Sequence, residues 1–392
     1  MPHLLRLALA FLIPLGLASR TARGDDPLKG TRPPKAGLSS LHLLSGPWDG
    51  GMIHGESVLF KKAGDARPSA KLLLDARSVS AVRSADGLRE FQAGRDYEVA
   101  LDGSGLTLLP GTTIPFLKTT DFFLMKGSPN SLPHRTGHPD EFVLFDNGHF
   151  FHDHQVEVTY DSRSAPWPGV RPKFAGSTLP KTLAKLRAQQ PLTLCVSGDS
   201  ISEGYNASRF TKVAPFQPPY PDLVKSQLEA SYGSSVTLHN LAVGGWNVGQ
   251  GVKDLDNLLK RKPDLVVIAY GMNDVGARNP GGFKASVATM LQRIHEADPT
   301  TEVILVASMT GNPEWVHTPP EMFPAYRDAL AALEGPGVAL ADLTSLWRTM
   351  LKRKRDADFT GNGVNHPNDH GHRLYARVIL ALLADPTFRS AR

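Results

Sequence analysis

The sequence predicts an α/β fold: a three-layer, doubly wound parallel sheet preceded by a smaller all-β sandwich or jelly-roll. Three observations predict it. Residues 41–160 hold short β-like runs separated by turn dipeptides, with no convincing amphipathic helix between them. From residue 192 onward, continuous apolar runs alternate with helix-length segments, the texture of strands buried on both faces. Four short polar motifs fall at the ends of those apolar runs, where an open parallel sheet binds its ligands.

The chain has 392 residues, enough for two or three domains of about 150 residues each. Residues 1–24 read as an export signal. Arg6 is the positive flank, an apolar stretch over 7–17 is broken by Pro14, and Ala22-Arg23-Gly24 is a small-x-small site before Asp25. That stretch is short for a bilayer span, so removal is expected, with a retained anchor as the alternative. No cysteine lies near the cleavage region to carry a lipid. The protein is therefore expected to be exported, periplasmic or extracellular, without a stable membrane anchor. Residues 25–40, polar and rich in Pro and Gly, read as a flexible lead-in.

In the β portion, 41–160, the strand candidates are 58–60, 71–74, 97–101, 105–109, 141–145 and 155–160. Asp86-Gly87, Asp102-Gly103 and Asp146-Asn147-Gly148 supply turns between them. Residues 161–191 read as a linker, with Ala165-Pro166-Trp167-Pro168-Gly169, followed by one helix over 179–190. In the second portion, 192–392, strands are expected at 192–197, 236–241, 265–270, 303–307 and 337–340. Helices are expected over 221–232, 252–260, 282–297, 322–333 and 369–383. Short right-handed crossovers between them give the doubly wound sheet.

The net charge of +5 falls to +2 without residues 1–24, which hold Arg6, Arg20 and Arg23 and no acid, so no nucleic-acid surface is expected. The run Lys352-Arg353-Lys354-Arg355 reads as the solvated end of a helix, where cations suit the macrodipole. The single cysteine, Cys195, excludes an intrachain disulfide and reads as a small buried side chain in an apolar strand. Asp146, His149, His152, Asp153 and His154 crowd one short segment. With no cysteine and no distant matching pair, ordinary hydrogen bonds suit them better than a metal, and the segment is able to reach toward a site in the second portion.

Gly198-Asp199-Ser200-Ile201-Ser202 follows the first strand of the second portion. A serine at such a strand-to-helix turn presents its hydroxyl among backbone N–H groups that favour developing negative charge. The bland alternative is a helix cap, a role open to Asp199, Ser200 and Ser202 alike. Asn240-Leu241-Ala242-Val243-Gly244-Gly245 and Gly271-Met272-Asn273-Asp274 follow the second and third strands. Gly245 permits close backbone approach and Asn273 offers an amide, the two kinds of donor an oxyanion hole uses; a tight turn and a turn-capping Asn would leave the same traces. Asn362-Gly363-Val364-Asn365-His366-Pro367 precedes the last helix and supplies a base, His366, without which a serine hydroxyl is a poor nucleophile. His370 and His372 read as the start of that helix. Trp246 and Trp315 lie near the strand ends, where aromatic faces either stack on sugar rings or pack as a rim.

In this order the four motifs resemble those of the SGNH (GDSL-type) hydrolases, over residues 192–392. The resemblance implies an SGNH/flavodoxin-like fold and ester hydrolysis through an acyl-enzyme, with no metal or organic cofactor. Ser200 would be the nucleophile and His366 the base. The N–H groups of Ser200 and Gly245 and the Asn273 amide would be the oxyanion donors. Gly245 follows Asn240 at the family's spacing, with Gly244 as the neighbouring alternative. The family's last block reads Asp-x-x-His, and here the residue three before His366 is Gly363, which cannot orient an imidazole. Asn362 would take the acid's place if one residue is inserted, since an amide oxygen can hold the tautomer. Asp358 and Asp369 are the other candidates, and a Ser-His dyad is the remaining possibility. A β-rich portion before such a hydrolase also resembles the polysaccharide acetyl esterases.

The expectation is an exported serine esterase that removes acetate from a poly- or oligosaccharide. A lipase, lysophospholipase or thioesterase is the rival within the chemistry. A non-catalytic carbohydrate-binding module, favoured by the missing acid, is the rival outside it. An unperturbed imidazole puts the acid limb of kcat/KM near a pH of about 6.5, and on that footing a profile flat from about pH 5 to 8 would count against His366.

Overall fold

The computed structural model describes residues 41–163 and 167–385. The export signal and lead-in expected at 1–24 and 25–40 lie outside them. The described residues belong to one compact unit.

The β portion opens with β1 (Met52–Lys62), β2 (Ser69–Lys71), β3 (Ala76–Ser84), β4 (Glu90–Phe91), β5 (Tyr97–Val99), β6 (Gly105–Leu108) and β7 (Phe116–Lys118). It continues with β8 (Phe123–Met125), β9 (Ser131–Leu132), β10 (Glu141–Leu144), a short helix α1 (Phe150–His154) and β11 (Gln155–Ser162). The main sheet runs β4-β3-β11-β1-β2-β6-β5, with β7 also on β1, while β8-β10-β9 form a small separate sheet. β1 serves both halves of the long path: its first part pairs antiparallel with β11, its last residues with β2 and β7. Val58 and Phe60 of β1, Val82, Leu106, Val156 and Val158 share one core, so the two halves face each other across it as in a sandwich. Leu59, with the opposite parity, joins Leu144, Phe151 and Ala357 in another cluster. β3 pairs along most of β11 and has no counterpart among the strands expected from sequence. Its outward residues are Arg and Ser and its inward ones are small, so no apolar run marks it.

After α2 (Pro180–Arg187), the second portion has five parallel strands: β12 (Leu192–Gly198), β13 (Val236–Asn240), β14 (Leu265–Ala269), β15 (Glu302–Ala307) and β16 (Val338–Asp342). Their order, β13-β12-β14-β15-β16, is the doubly wound one, and the winding reverses at β12. Every residue of β14 and β15 is buried, as a sheet covered on both faces requires. The helices are α3 (Ser200–Glu203), α4 (Ser208–Thr211), α5 (Tyr220–Tyr232), α6 (Val248–Leu259), α7 (Pro280–Ala297), α8 (Met322–Ala331), α9 (Leu343–Met350), α10 (Asp356–Phe359) and α11 (Asp369–Leu383). Helix α6 starts before its first expected residue because Asn247 caps it, accepting from the N–H groups of Gly249 and Gln250. Among the described residues no helix is long and apolar enough to cross a membrane. Cys195 is buried on β12, as expected, and burial pushes its thiol up to about 12.

The basic run at 352–355 is not a solvated helix end. Helix α9 stops at Met350, and the Lys354 side chain is fully buried, with its Nζ 2.6 Å from Glu56 Oε1 on β1. The same ammonium donates to the carbonyls of Lys71 (2.9 Å) and Ser57 (3.2 Å). Helix α11 is buried along almost its whole length because it packs against α5, β16 and β1. Its Arg373 reaches Glu157 at 2.5 Å and the Gly55 carbonyl at 2.8 Å. The β portion is thus bonded to the stretch that flanks His366 on both sides.

Candidate active site

The site sits past the carboxyl end of β12, at the reversal of winding. Gly198 ends that strand under tight constraint: a Cβ there would lie 2.5 Å from Ser202 Oγ and 2.9 Å from the Ala269 carbonyl oxygen. Asp199 caps α3, its Oδ1 accepting from Ile201 N at 2.9 Å, which leaves Ser200 as the first helical residue. The Ser200 N–H therefore has no carbonyl within its own helix to bond. Ser200 Oγ lies 2.9 Å from His366 Nε2, although the two residues are 166 apart in sequence.

His366 Nδ1 lies 2.9 Å from the side-chain oxygen of Asn206. The Asn206 Nδ2 donates to three carbonyls, Gly148 at 3.1 Å and Asn147 and Gly361 at 3.3 Å. Turning the amide over would set its oxygen against three oxygens, so its orientation is settled by what surrounds it. The oxygen facing His366 can only accept, hence Nδ1 carries the proton. Nε2 is then the bare nitrogen, and the Ser200 hydroxyl donates to it. His366 is 7% exposed, and burial, with a smaller repulsion from His372, lowers its pKa from 6.5 to about 3. The imidazole is neutral at ordinary pH.

None of the three residues expected to orient the ring does so. The Asn362 oxygen accepts from the backbone N–H groups of Val364 (2.9 Å), Asn365 (3.0 Å) and His366 (3.1 Å), so it shapes the loop and leaves the ring alone. Asp358 accepts from Leu59 N and Arg355 N, tying α10 to β1. Asp369 accepts from Ser208 N at 2.8 Å, not from the imidazole. The glycine at 363 has a physical reason too. Its φ is +82°, and a Cβ would fall 2.2 Å from the ring of Phe151 of α1. An acid has no room there, and the acceptor comes instead from the turn after α3. Asn206 escaped the sequence reading because it resembles an ordinary turn residue; its left-handed φ of +60° is one Asn tolerates well. The expected reach of the 146–154 segment toward the site is real: Asn147 and Gly148 supply two of the three carbonyls that hold Asn206. Among the described residues no group of side chains is arranged to hold a metal ion.

The oxyanion candidates of the second and third motifs lie on two loops joined by a hydrogen bond. Asn240 closes β13, its Nδ2 donating to Ser202 O at 2.7 Å, and so pins the second motif to the first. Gly244 N donates to Glu203 Oε2 at 2.6 Å, which takes that N–H out of use. Gly245 has φ of +79° and is exposed, and its N–H makes no hydrogen bond to the described residues. Asn273 is exposed as well, and its Nδ2 donates one hydrogen to Trp246 O at 2.9 Å, leaving the other available. Asp274 stitches these loops together, accepting from Gly271 N (3.0 Å) and Val248 N (3.1 Å). Burial raises its carboxyl to about 6, and that of Asp199 to about 7.

Trp246 is half-buried and packs against the main core. Trp315 is half-buried too, and its indole N–H donates to Pro133 O at 3.1 Å. Its loop is tied to the His366 loop through Asn312, which donates to Val364 O (2.8 Å) and Gly363 O (3.0 Å). On another side, the Tyr205 ring meets His366 edge-on at 5.1 Å and packs on Phe210, which is 40% exposed. The arrangement pairs a serine hydroxyl with a neutral base held in one tautomer, the two elements that nucleophilic attack on a carbonyl requires.

Residues 196–374 match the model of the GDSL-like lipase/acylhydrolase family. No curated protein matches the chain. Among solved structures, a two-domain esterase active on acetylated mannans, co-crystallised with mannopentaose, is 20% identical with a TM-score of 0.44, covering 57% of this chain. The chain spans 58% of that protein's length. A catalytic mutant of an acetylxylan esterase from Geobacillus stearothermophilus is also 20% identical, covering 51% of this chain and 97% of that one, with a TM-score of 0.42. A lipase from a goat rumen metagenome is 18% identical, covering 49% and 97%, with a TM-score of 0.41.

Proposed function

We propose that the chain is a carboxylic ester hydrolase, supported by the match of residues 196–374 to the GDSL-like lipase/acylhydrolase model, and that it works through an acyl-enzyme on Ser200 and deacetylates a carbohydrate. One observation carries the reading: Ser200 Oγ stands 2.9 Å from the bare nitrogen of a buried, neutral imidazole. His366 takes the hydroxyl proton as Oγ attacks the ester carbonyl. The N–H groups of Ser200 and Gly245 and the Asn273 amide receive the oxyanion. His366 then protonates the leaving alcohol, and a water activated by the same nitrogen releases the acid and restores Ser200.

Acetate on a sugar is the preferred substrate because Gly245 and Asn273 are exposed, so an ester can be presented to them while the polymer stays outside the protein. Trp246 and Trp315, half-buried beside the site loops, are the candidate sugar platforms. An exported enzyme would meet such a polymer, and residues 1–24 read as the leader that would send it there. A second reading, a lipase or thioesterase, is favoured by the apolar surface at Phe210 (40% exposed) and Val243 (38% exposed). A chain-length series of p-nitrophenyl esters beside acetylated xylan and acetylated mannan separates the two. Highest kcat/KM on acetate, with acetate released from a polymer, supports the carbohydrate reading; highest kcat/KM on medium or long chains overturns it.

A further inference from the structure

The Asn206 amide raises a question that no other residue of the site does. A carboxylate commonly orients a catalytic imidazole, and here a neutral amide does so with its Nδ2 inside a cage of three carbonyl oxygens. Those carbonyls accept and cannot donate. A carboxylate at 206 would have one oxygen facing Nδ1 and the other facing three oxygens of like partial charge, in a place where Asn206 is 5% exposed and water does not screen it. The cage therefore selects an amide, or an acid that has kept its proton and can donate to one carbonyl while accepting from Nδ1.

We propose that Asn206 is the positioning residue for His366, that it works only as a neutral group, and that the Asn147-Gly148 turn of the β portion belongs to the active site because it holds that amide. Resting on the esterase reading, this assigns the β portion a part in catalysis: two of the three carbonyls come from between β10 and α1. The titratable groups around the ring are Tyr205, after α3, and His372 of α11, itself lowered to about 4 by burial. Among the described residues no carboxylate bonds to the imidazole.

The test uses the full chain, with N206D and N206A beside wild type. Nitrogen-15 NMR of the wild-type imidazole reads the tautomer without any substrate. A proton on Nδ1 with Nε2 bare is expected from about pH 5 to 8; a proton on Nε2 overturns the proposal. Kinetics on p-nitrophenyl acetate are then followed over the same range. N206D should lose about tenfold or more in kcat at the alkaline end, with KM within about twofold, and should recover relative to wild type as the pH falls and the new carboxyl regains its proton. N206A should lose kcat with no such trend. A merely structural role for Asn206 does not produce that opposite slope. N206D matching or exceeding wild type throughout overturns the proposal, as does a constant ratio. If N206D does not fold, N206A and the wild-type tautomer still decide it. If wild type hydrolyses no ester, the functional reading fails while the tautomer measurement stands on its own.

Discussion

Lys354→Met cuts a fully buried ion pair between the two portions. The ammonium is fully buried and holds Glu56, whose carboxylate also accepts from Tyr160 Oη (2.6 Å) and Leu73 N (2.9 Å). Methionine keeps the volume of the side chain but leaves Glu56 with no cation, and it leaves the Ser57 and Lys71 carbonyls without their donor. Breaking one side of a buried pair costs about 3–5 kcal/mol. For a cooperative unit of about 350 residues, an unfolding entropy of about 2.1 cal/mol/K per residue gives about 0.7 kcal/mol/K. The expected fall in Tm is therefore about 4–7 °C, read by differential scanning calorimetry at neutral pH. Adding E56Q should recover part of it, because a neutral acceptor for Tyr160 and Leu73 replaces an unpaired charge. A Tm for Lys354→Met within about 1 °C of wild type would refute the view that this clamp joins the β portion to the His366 stretch.

Burial lowers His366, so the base stays deprotonated well below the usual histidine range, and kcat/KM should be flat from about pH 8 to 5 and fall only below that. This reverses the expectation from sequence, and an acid limb near a pH of about 6.5 would contradict the burial argument. The same depressed pKa means that the unfolded chain binds the proton first; stability is full above the ordinary histidine value and drains as pH falls through it toward about 3, as denaturant melts at pH 7 and 4.5 would register. Asn273→Ala should cost on the order of 100-fold in kcat with KM little changed, and a loss under about threefold would remove it from the oxyanion hole. Gly198→Ala should misplace Ser200, since its Cβ meets Ser202 Oγ and the Ala269 carbonyl, and a variant with unchanged kcat would show the turn to be slack.

Much of the fold could be read from residue order. Apolar runs four to six residues long, each followed by a helical segment, announce a parallel sheet, and β12 to β16 lie where those runs are. The strand ends announced Ser200 and His366 as neighbours, because such a sheet gathers its loops on one edge, and the two side chains stand 2.9 Å apart. Three of the features that were hidden have a plain physical reason. β3 carries its signal in small inward residues, which periodicity undercounts. Lys354 looks solvated in a basic run, and only the partner Glu56 on β1, 298 residues earlier, makes its burial tolerable. Asn206 has nothing in its own neighbourhood to mark it. Its role exists only once three carbonyls from two distant turns have closed around its amide.

The proposed function makes Ser200 the nucleophile of an acetyl esterase acting on carbohydrate. The most direct measurement is acetate release from acetylated xylan by the full chain, with Ser200→Ala in parallel and circular dichroism to confirm that both are folded. Release by wild type that falls by about 1,000-fold or more in the variant is the predicted result. Release that persists in Ser200→Ala, or a wild type that frees no acetate from xylan or mannan while remaining folded, would contradict it.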